Sequence, residues 1–211
     1  MSGSKKKGDI YIAFLLDQTG SMQPIKNDTI GGFNEFVKNQ KKAPGEATLA
    51  LTLFNSLNTD VRPPKSIDDV VPLSDTTYVP AGMTPLYDSF YRIIKQADKW
   101  IEENKWKGLV LVVVQTDGYE NASMKHNIKE LGEMIKERRA NDWQFMFLGA
   151  DVDAWGMAEP LNIPAGNVIM YASADQGTTY QKTADVVTSY RASGGATGDH
   201  LFDDQDDTKN S

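Results

Sequence analysis

Three unbroken apolar stretches punctuate the chain, at residues 10–16, 109–114 and 145–148. A run without polar alternation predicts a strand buried on both faces, the signature of a parallel sheet covered by helices. Residues 168–171 form a fourth, shorter candidate. Residues 47–54 alternate more and carry threonines. They are followed by Asn55-Ser56-Leu57-Asn58 and a second short strand at 59–61, which predicts a hairpin and an antiparallel edge.

Helical periodicity fills the intervals. Ile25, Phe33, Phe36, Val37 and Gln40 place one stripe on residues 24–41, with Pro24 suited to a first turn. Leu86, Phe90, Ile93, Ile94, Ala97 and Ile101 line one face of residues 85–104, with Thr84 as the expected N-cap and Pro85 at the first position. A third helix is expected from about Ser123, using Ile128, Leu131 and Ile135. A short one is expected at 153–158, and a last, less regular one at 175–190, using Tyr180, Val186, Val187 and Tyr190. The longest irregular stretch is 62–82, rich in Pro and Asp.

Strands alternating with helices imply right-handed crossovers. The predicted fold is therefore α/β: a doubly wound, mostly parallel sheet with one antiparallel edge strand and helices on both faces. The predicted organisation is a flexible basic N-terminus at 1–8, one domain at 9–192 and a disordered acidic tail at 193–211.

Composition narrows the function. The chain has 211 residues and no cysteine, which excludes disulfides and thiolate metal sites and suits a reducing cytoplasm, the expected location. Net charge is -7, of which residues 198–211 carry -4, through Asp199, Asp203, Asp204, Asp206 and Asp207 against Lys209. Such a surface argues against nucleic acid as a partner. No apolar run approaches a membrane span, so no membrane association is expected. Lys5, Lys6 and Lys7 read as a solvated start, and no secretory h-region follows them.

The candidate chemistry lies where strands end. Asp17-Gln18-Thr19-Gly20-Ser21 leaves the first buried strand as a carboxylate and two hydroxyls spaced by two. Gly82-Met83-Thr84-Pro85-Leu86 presents a hydroxyl before the second helix, and Thr116-Asp117-Gly118 a carboxylate after the strand at 109–114. In a parallel sheet the C-terminal strand ends share one edge, where open α/β sheets bind ligands. Asp17, Thr19, Ser21, Thr84 and Asp117 thus converge from three loops as an all-oxygen set. Hard oxygen donors suit a hard divalent cation, above all Mg²⁺, with Mn²⁺ or Ca²⁺ as alternatives. Two carboxylates offset the ion's charge only formally, so an open coordination position would take an acidic oxygen from outside. Glu120 and Asn121 beside the set read as a solvated loop, His126 as exposed, and Asp151 as a rim residue. Trp100, Trp106, Trp143 and Trp155 read as packing residues.

The pattern resembles the von Willebrand factor A domain and its metal-ion-dependent adhesion site, whose motif is Asp-x-Ser-x-Ser followed by a distant Thr and a distant Asp. Those positions here are Asp17, Thr19, Ser21, Thr84 and Asp117, with Thr19 the one departure. The phrases at 82–86, 116–121 and 148–151 are similar to the bacterial or phage-like intracellular branch. The resemblance implies a protein-binding module that is not an enzyme. Its hydroxyls bind Mg²⁺ directly, its aspartates act through water, and an Asp or Glu carboxylate of a partner protein completes the shell. It also implies work beside an ATPase or within a larger assembly, and a last helix that shifts with coordination.

Two other classes compete. A Mg²⁺-dependent phosphotransferase or hydrolase also carries an aspartate after its first strand. Such enzymes place a second aspartate two residues on, where this chain has Thr19. The sequence has no Gly-x-x-x-x-Gly-Lys loop, no Gly-x-Gly-x-x-Gly after a strand, no His-Glu-x-x-His and no Gly-x-Ser-x-Gly elbow. An accessory role in a nucleic-acid complex is opposed by the acidic surface.

Overall fold

The computed structural model describes residues 8–172, 175–196 and 200–202. Its strands are β1 (Ile10–Asp17), β2 (Ala47–Phe54), β3 (Thr59–Ser66), β4 (Leu109–Thr116), β5 (Trp143–Ala150) and β6 (Val168–Tyr171). The helices are α1 (Lys26–Lys42), α2 (Leu86–Glu103), α3 (Ile128–Arg139), α4 (Ala154–Ala158) and α5 (Gln176–Ser193). One six-stranded sheet runs in the order β3-β2-β1-β4-β5-β6. Every pairing is parallel except β2 with β3, so the fold is the mostly parallel, doubly wound sheet with an antiparallel edge that the hydrophobic pattern predicts.

The continuous apolar strands are buried on both faces for the expected reason. All eight residues of β1 and of β4 are buried. Ile10, Ile12, Phe14 and Leu16 face Phe33 and Phe36 of α1 and Val186, Val187 and Tyr190 of α5. Tyr11, Ala13 and Leu15 face Phe90, Ile93 and Ile94 of α2 and Leu131 and Ile135 of α3. Phe14 meets Phe33 and Phe36 edge-on, at centroid distances of 5.3 and 5.4 Å.

Helix α5 lacks a clean apolar stripe because its inner face is partly polar. Gln176, Thr179, Thr183 and Arg191 are buried there beside Tyr180, Val186, Val187 and Tyr190. Close approach to α1 requires Gly32, where an added Cβ would lie 2.1 Å from the Tyr180 ring. The fully buried Arg191 guanidinium ends the packing. It donates to the carbonyls of Gly8 (3.0 Å), Gln40 (2.9 Å), Pro44 (3.0 Å) and Gly45 (2.8 Å), and to Gln40 Oε1 (3.1 Å). One side chain thus joins α5 to the start of β1 and to the turn between α1 and β2.

Several boundaries differ from the sequence expectation. Strand β3 runs on to Ser66 through Pro63 and Pro64, which read as breakers but are tolerated on an edge strand. A 3₁₀ segment, Gly20–Ile25, precedes α1 and contains Pro24. Helix α3 starts at Ile128 rather than near Ser123. Asn127 caps it in a reciprocal box with Glu130, while the Asp88 carboxylate accepts the main-chain N–H groups of Met124, Lys125 and His126 and holds that stretch as a loop. His126 is half-buried and stacks on Tyr91 at 3.6 Å rather than standing exposed.

The expected tail at 193–211 is also redrawn. Helix α5 includes Ser193 and ends on Gly194 at φ +72°. Leu201 and Phe202 are buried in the core, and their main-chain N–H groups bond Asn167 Oδ1 and the Gly166 carbonyl. Apolar side chains with a burial site override the acidic composition around them. Residues 203–211 and the basic start at 1–7 lie outside the described residues. Among the described residues no helix is long and apolar enough to cross a membrane.

Arg191→Met keeps the apolar stem but leaves its backbone carbonyls unpaired in the interior. It is expected to lower the stability of the chain by about 3 kcal/mol or more. Urea unfolding measures this, and a midpoint unchanged from wild type would contradict the role given to Arg191.

Candidate functional site

The parallel register determines where the site residues emerge. Asp17 is the last residue of β1, and Thr116 the last of its neighbour β4. Both chains turn outward at the same sheet edge, as does the segment that enters α2. The loops are joined by main-chain bonds: Gly20 N–H to Gly82 O at 3.0 Å and Ala81 N–H to Gln18 O at 2.9 Å. Gly82 sits at φ +74°, and a Cβ there would come within 2.8 Å of Ser56 Oγ, so this contact needs glycine.

Four of the five sequence-predicted residues, Asp17, Thr19, Ser21 and Asp117, are joined by a chain of hydrogen bonds. Asp17 Oδ1 accepts the Thr19 N–H at 2.7 Å, an Asx turn that fixes the loop. The hydroxyls of Thr19 and Ser21 face each other at 3.1 Å. Ser21 Oγ donates to Asp117 Oδ1 at 2.6 Å across 96 positions of sequence. Thr84 Oγ1 and Ser21 Oγ flank the same side of Gly118, where a Cβ would lie 3.3 Å and 3.5 Å from them. Asp17, Thr19 and Thr84 are buried, Asp117 is half-buried and Ser21 is exposed, so the set has a floor and an open side.

Thr84 does not cap α2, contrary to expectation. The helix begins at Leu86 with Pro85 in the cap position and no side-chain cap. The first free donors go instead to the loop after β4: Tyr87 N–H to Glu120 Oε2 at 2.9 Å and Asp88 N–H to Ser123 Oγ at 3.0 Å. Asn121 holds Thr84 from both sides, accepting the Thr84 N–H on Oδ1 at 2.8 Å and donating its own N–H to the Thr84 carbonyl at 3.1 Å. Glu120 and Asn121, though partly solvated, therefore clamp the Thr84 segment. Asp151 takes a left-handed φ of +53°, with its N–H on the Tyr171 carbonyl.

Two further residues position the set and escaped the sequence reading. Thr116 Oγ1 donates to Asp17 Oδ2 at 2.5 Å and accepts the Gly118 N–H at 3.1 Å, tying both carboxylate-bearing segments to one hydroxyl. Its one sequence signal is a polar residue closing an apolar run just before Asp117. Tyr78, fully buried, donates to the Asp17 carbonyl at 2.6 Å, and nothing in the irregular segment around it marks this.

Burial of these carboxylates has an electrostatic consequence. Loss of solvent pushes the Asp17 carboxyl up to about 6; the bonds from Thr116 and Thr19 offset part of this, and the Asp117 charge adds to it. Burial likewise raises Asp117, with the Ser21 bond opposing. Both shifts come first from burial, with like-charge repulsion a smaller contribution.

The donor set fits a divalent cation. Ligands at right angles on an octahedral ion with bonds of about 2.1 Å lie about 3 Å apart, and the Thr19–Ser21 oxygen separation of 3.1 Å meets that requirement. Among the described residues no three His, Cys, Asp or Glu side chains gather to hold a metal. Here the set is two carboxylates with three hydroxyls.

No family model matches the sequence, and no curated protein does. Solved structures do match in fold. The von Willebrand factor domain of the type V pili tip protein Mfa5 from Porphyromonas gingivalis matches at a TM-score of 0.58 and 11% identity, over 86% of this chain and 96% of that one. Proximal thread matrix protein 1 from the mussel byssus matches at a TM-score of 0.54 and 14% identity, over 87% of this chain; the chain spans 46% of that protein's length. The architecture is therefore that of a von Willebrand factor A-like domain.

The raised Asp17 carboxyl yields a prediction for the metal-free protein. Between its ordinary value of 3.8 and about 6, the folded chain binds more protons than the unfolded one. Stability should then fall as pH rises through that window, by about 3 kcal/mol for the full shift. Asp17→Asn removes the charge, and the Thr116 hydroxyl can turn to Gly118 O, 3.0 Å away. In chelator at pH 7 the variant should melt above wild type, and the gap should close toward pH 4. A gap that does not change with pH would contradict this.

Proposed function

We propose that this domain is a divalent-cation-dependent protein-binding module, with Mg²⁺ as the natural ion and Mn²⁺ or Ca²⁺ as substitutes, that captures an Asp or Glu carboxylate of a partner protein. One observation carries the reading: Asp17, Thr19, Ser21 and Asp117 are hydrogen-bonded together at the C-terminal edge of a parallel sheet with Thr84 close by, the buried Asp17 carboxylate on one side and solvent on the other. The hydroxyls of Thr19, Ser21 and Thr84 and the carboxylate of Asp117 would hold the ion. Asp17, with each oxygen already accepting a hydrogen bond, would act from behind as counter-charge. When bound, the cation supplies an electrophilic position on the open side that an external carboxylate oxygen can fill.

The chain's own residues do the rest. Thr116 and Tyr78 hold Asp17 in place, and Asn121 fixes Thr84. The joined segments at Gln18–Ala81 and Gly20–Gly82 keep the hydroxyls from spreading. Such preorganisation serves binding, since ligand orientation then costs little ordering when the ion arrives. Binding is favoured over phosphoryl transfer because Thr19 stands where a paired catalytic carboxylate would be needed. The mussel and bacterial structures with this fold are a byssus thread matrix protein and a pilus-tip protein domain by name.

Isothermal titration of the metal-free protein with Mn²⁺ and Mg²⁺ tests the reading. Wild type should take up one cation per chain, and Asp17→Ala and Thr84→Ala should each weaken that uptake at least about tenfold with circular dichroism unchanged. Variants that bind the cation as wild type does would overturn the site. Phosphate release that depends on both Mg²⁺ and Asp17 would favour the enzymatic alternative.

A further inference from the structure

A polar groove of about 590 Å³ opens between the β2–β3 hairpin and the segment at 76–81. Its two walls are tied together. Arg62 of β3 donates to the Thr77 carbonyl at 3.4 Å. Asn55 Nδ2 and the Ala81 N–H both donate to the Gln18 carbonyl, at 3.2 and 2.9 Å. Gln18 belongs to both features: it lines the groove, and it is the residue between Asp17 and Thr19 in the oxygen cluster.

The side chain of Gln18 is the part the fold leaves unused. The residue is only 9% exposed, yet its amide makes no hydrogen bond among the described residues. A polar group so nearly buried usually has a protein partner. With its main chain held from both walls, this amide stands ready in the groove. It offers a donor and an acceptor side by side, the complement of a peptide group. The groove around it is neutral as well. Its two charged side chains, Asp60 and Arg62, are paired with each other at 2.9 Å. Asn58, Thr59, Thr76 and Thr77 add uncharged polar groups, and Leu57 and Val79 add exposed apolar contact.

Resting on the cation-site reading above, we infer that the partner's acidic residue lies in an extended, uncharged segment whose main chain runs past Gln18 into this groove, with the Gln18 amide paired to one of its peptide groups. The sheet register sets the length of that segment. Asp17, Phe54 and Thr59 stand side by side on β1, β2 and β3. The groove wall at Thr59 is thus two strand spacings from Asp17, about 10 Å, which about three extended residues span. Recognition through the main chain tolerates varied neutral side chains. An acidic residue on a helix, whose peptide groups are already bonded, would meet the cation without the groove.

Fluorescently labelled, end-capped peptides test this. Each carries one Asp, either alone or with three Ser/Thr residues on one side or the other. Polarisation is read with Mg²⁺ and with chelator. On one of the two sides, the added residues should tighten binding in Mg²⁺ roughly tenfold. N-methylation of the added peptide bonds, one at a time, should undo that gain at one position. Gln18→Leu should make that N-methyl peptide and its parent bind alike. Val79→Trp, which narrows the groove from an exposed position, should remove the gain while leaving Mn²⁺ uptake as in wild type. If Mg²⁺-dependent binding is present but the added residues change nothing, or their gain survives every N-methylation and both substitutions, the groove assignment is wrong and the cation site stands. If wild type takes up no Mn²⁺, the cation-site reading itself fails and the inference falls with it.

Discussion

A carboxylate at the end of a fully buried strand must be compensated, and much of this structure around the sheet edge is arranged to do so. Asp17 sits at the end of β1 with no solvent contact. A peptide N–H, a threonine hydroxyl from the neighbouring strand and a tyrosine on its carbonyl surround it. Those neighbours bring the β4 loop and the segment before α2 to the same point. The loops then hold one another through Glu120, Asn121 and Ser123. Even so, hydrogen bonds do not fully replace solvent, because burial still raises Asp17 and Asp117 together.

The same tension separates stability from function. An uncharged residue at position 17 would suit the interior better, and the hydroxyls of Thr19, Ser21 and Thr84 at the sheet edge add nothing to the apolar core. The sheet and its two helical layers supply the margin that lets the edge be strained in this way. Tight packing of α1 on α5 at Gly32, and the Arg191 anchor behind it, lie at a distance from the oxygen cluster and serve that purpose.

Much of this was legible in the sequence, for identifiable reasons. The runs at β1, β4 and β5 had no polar interruption, and a doubly buried parallel strand leaves few other readings. Once parallel strands were in place, Asp17 and Asp117 had to meet at one edge, because both follow strand ends. Side-chain partners across long separations were less readable. Thr116 and Tyr78 act on Asp17 from 99 and 61 positions away, and no local periodicity encodes such a contact. Thr84 looked like a helix cap because hydroxyls before Pro usually are; the loop after β4 supplied the caps instead. Pro63 and Pro64 looked like a break because breaker residues are judged without knowing which strand is at the edge. Leu201 and Phe202 were hidden by the acidic residues around them.

Crystals of the protein soaked with Mn²⁺, with anomalous scattering recorded at the manganese edge, address the central claim most directly. The account predicts one strong peak per chain, within bonding distance of the Thr19, Ser21 and Thr84 hydroxyls and beside Asp17 and Asp117. No peak among those side chains at saturating Mn²⁺, or a peak elsewhere on the molecule alone, would contradict it.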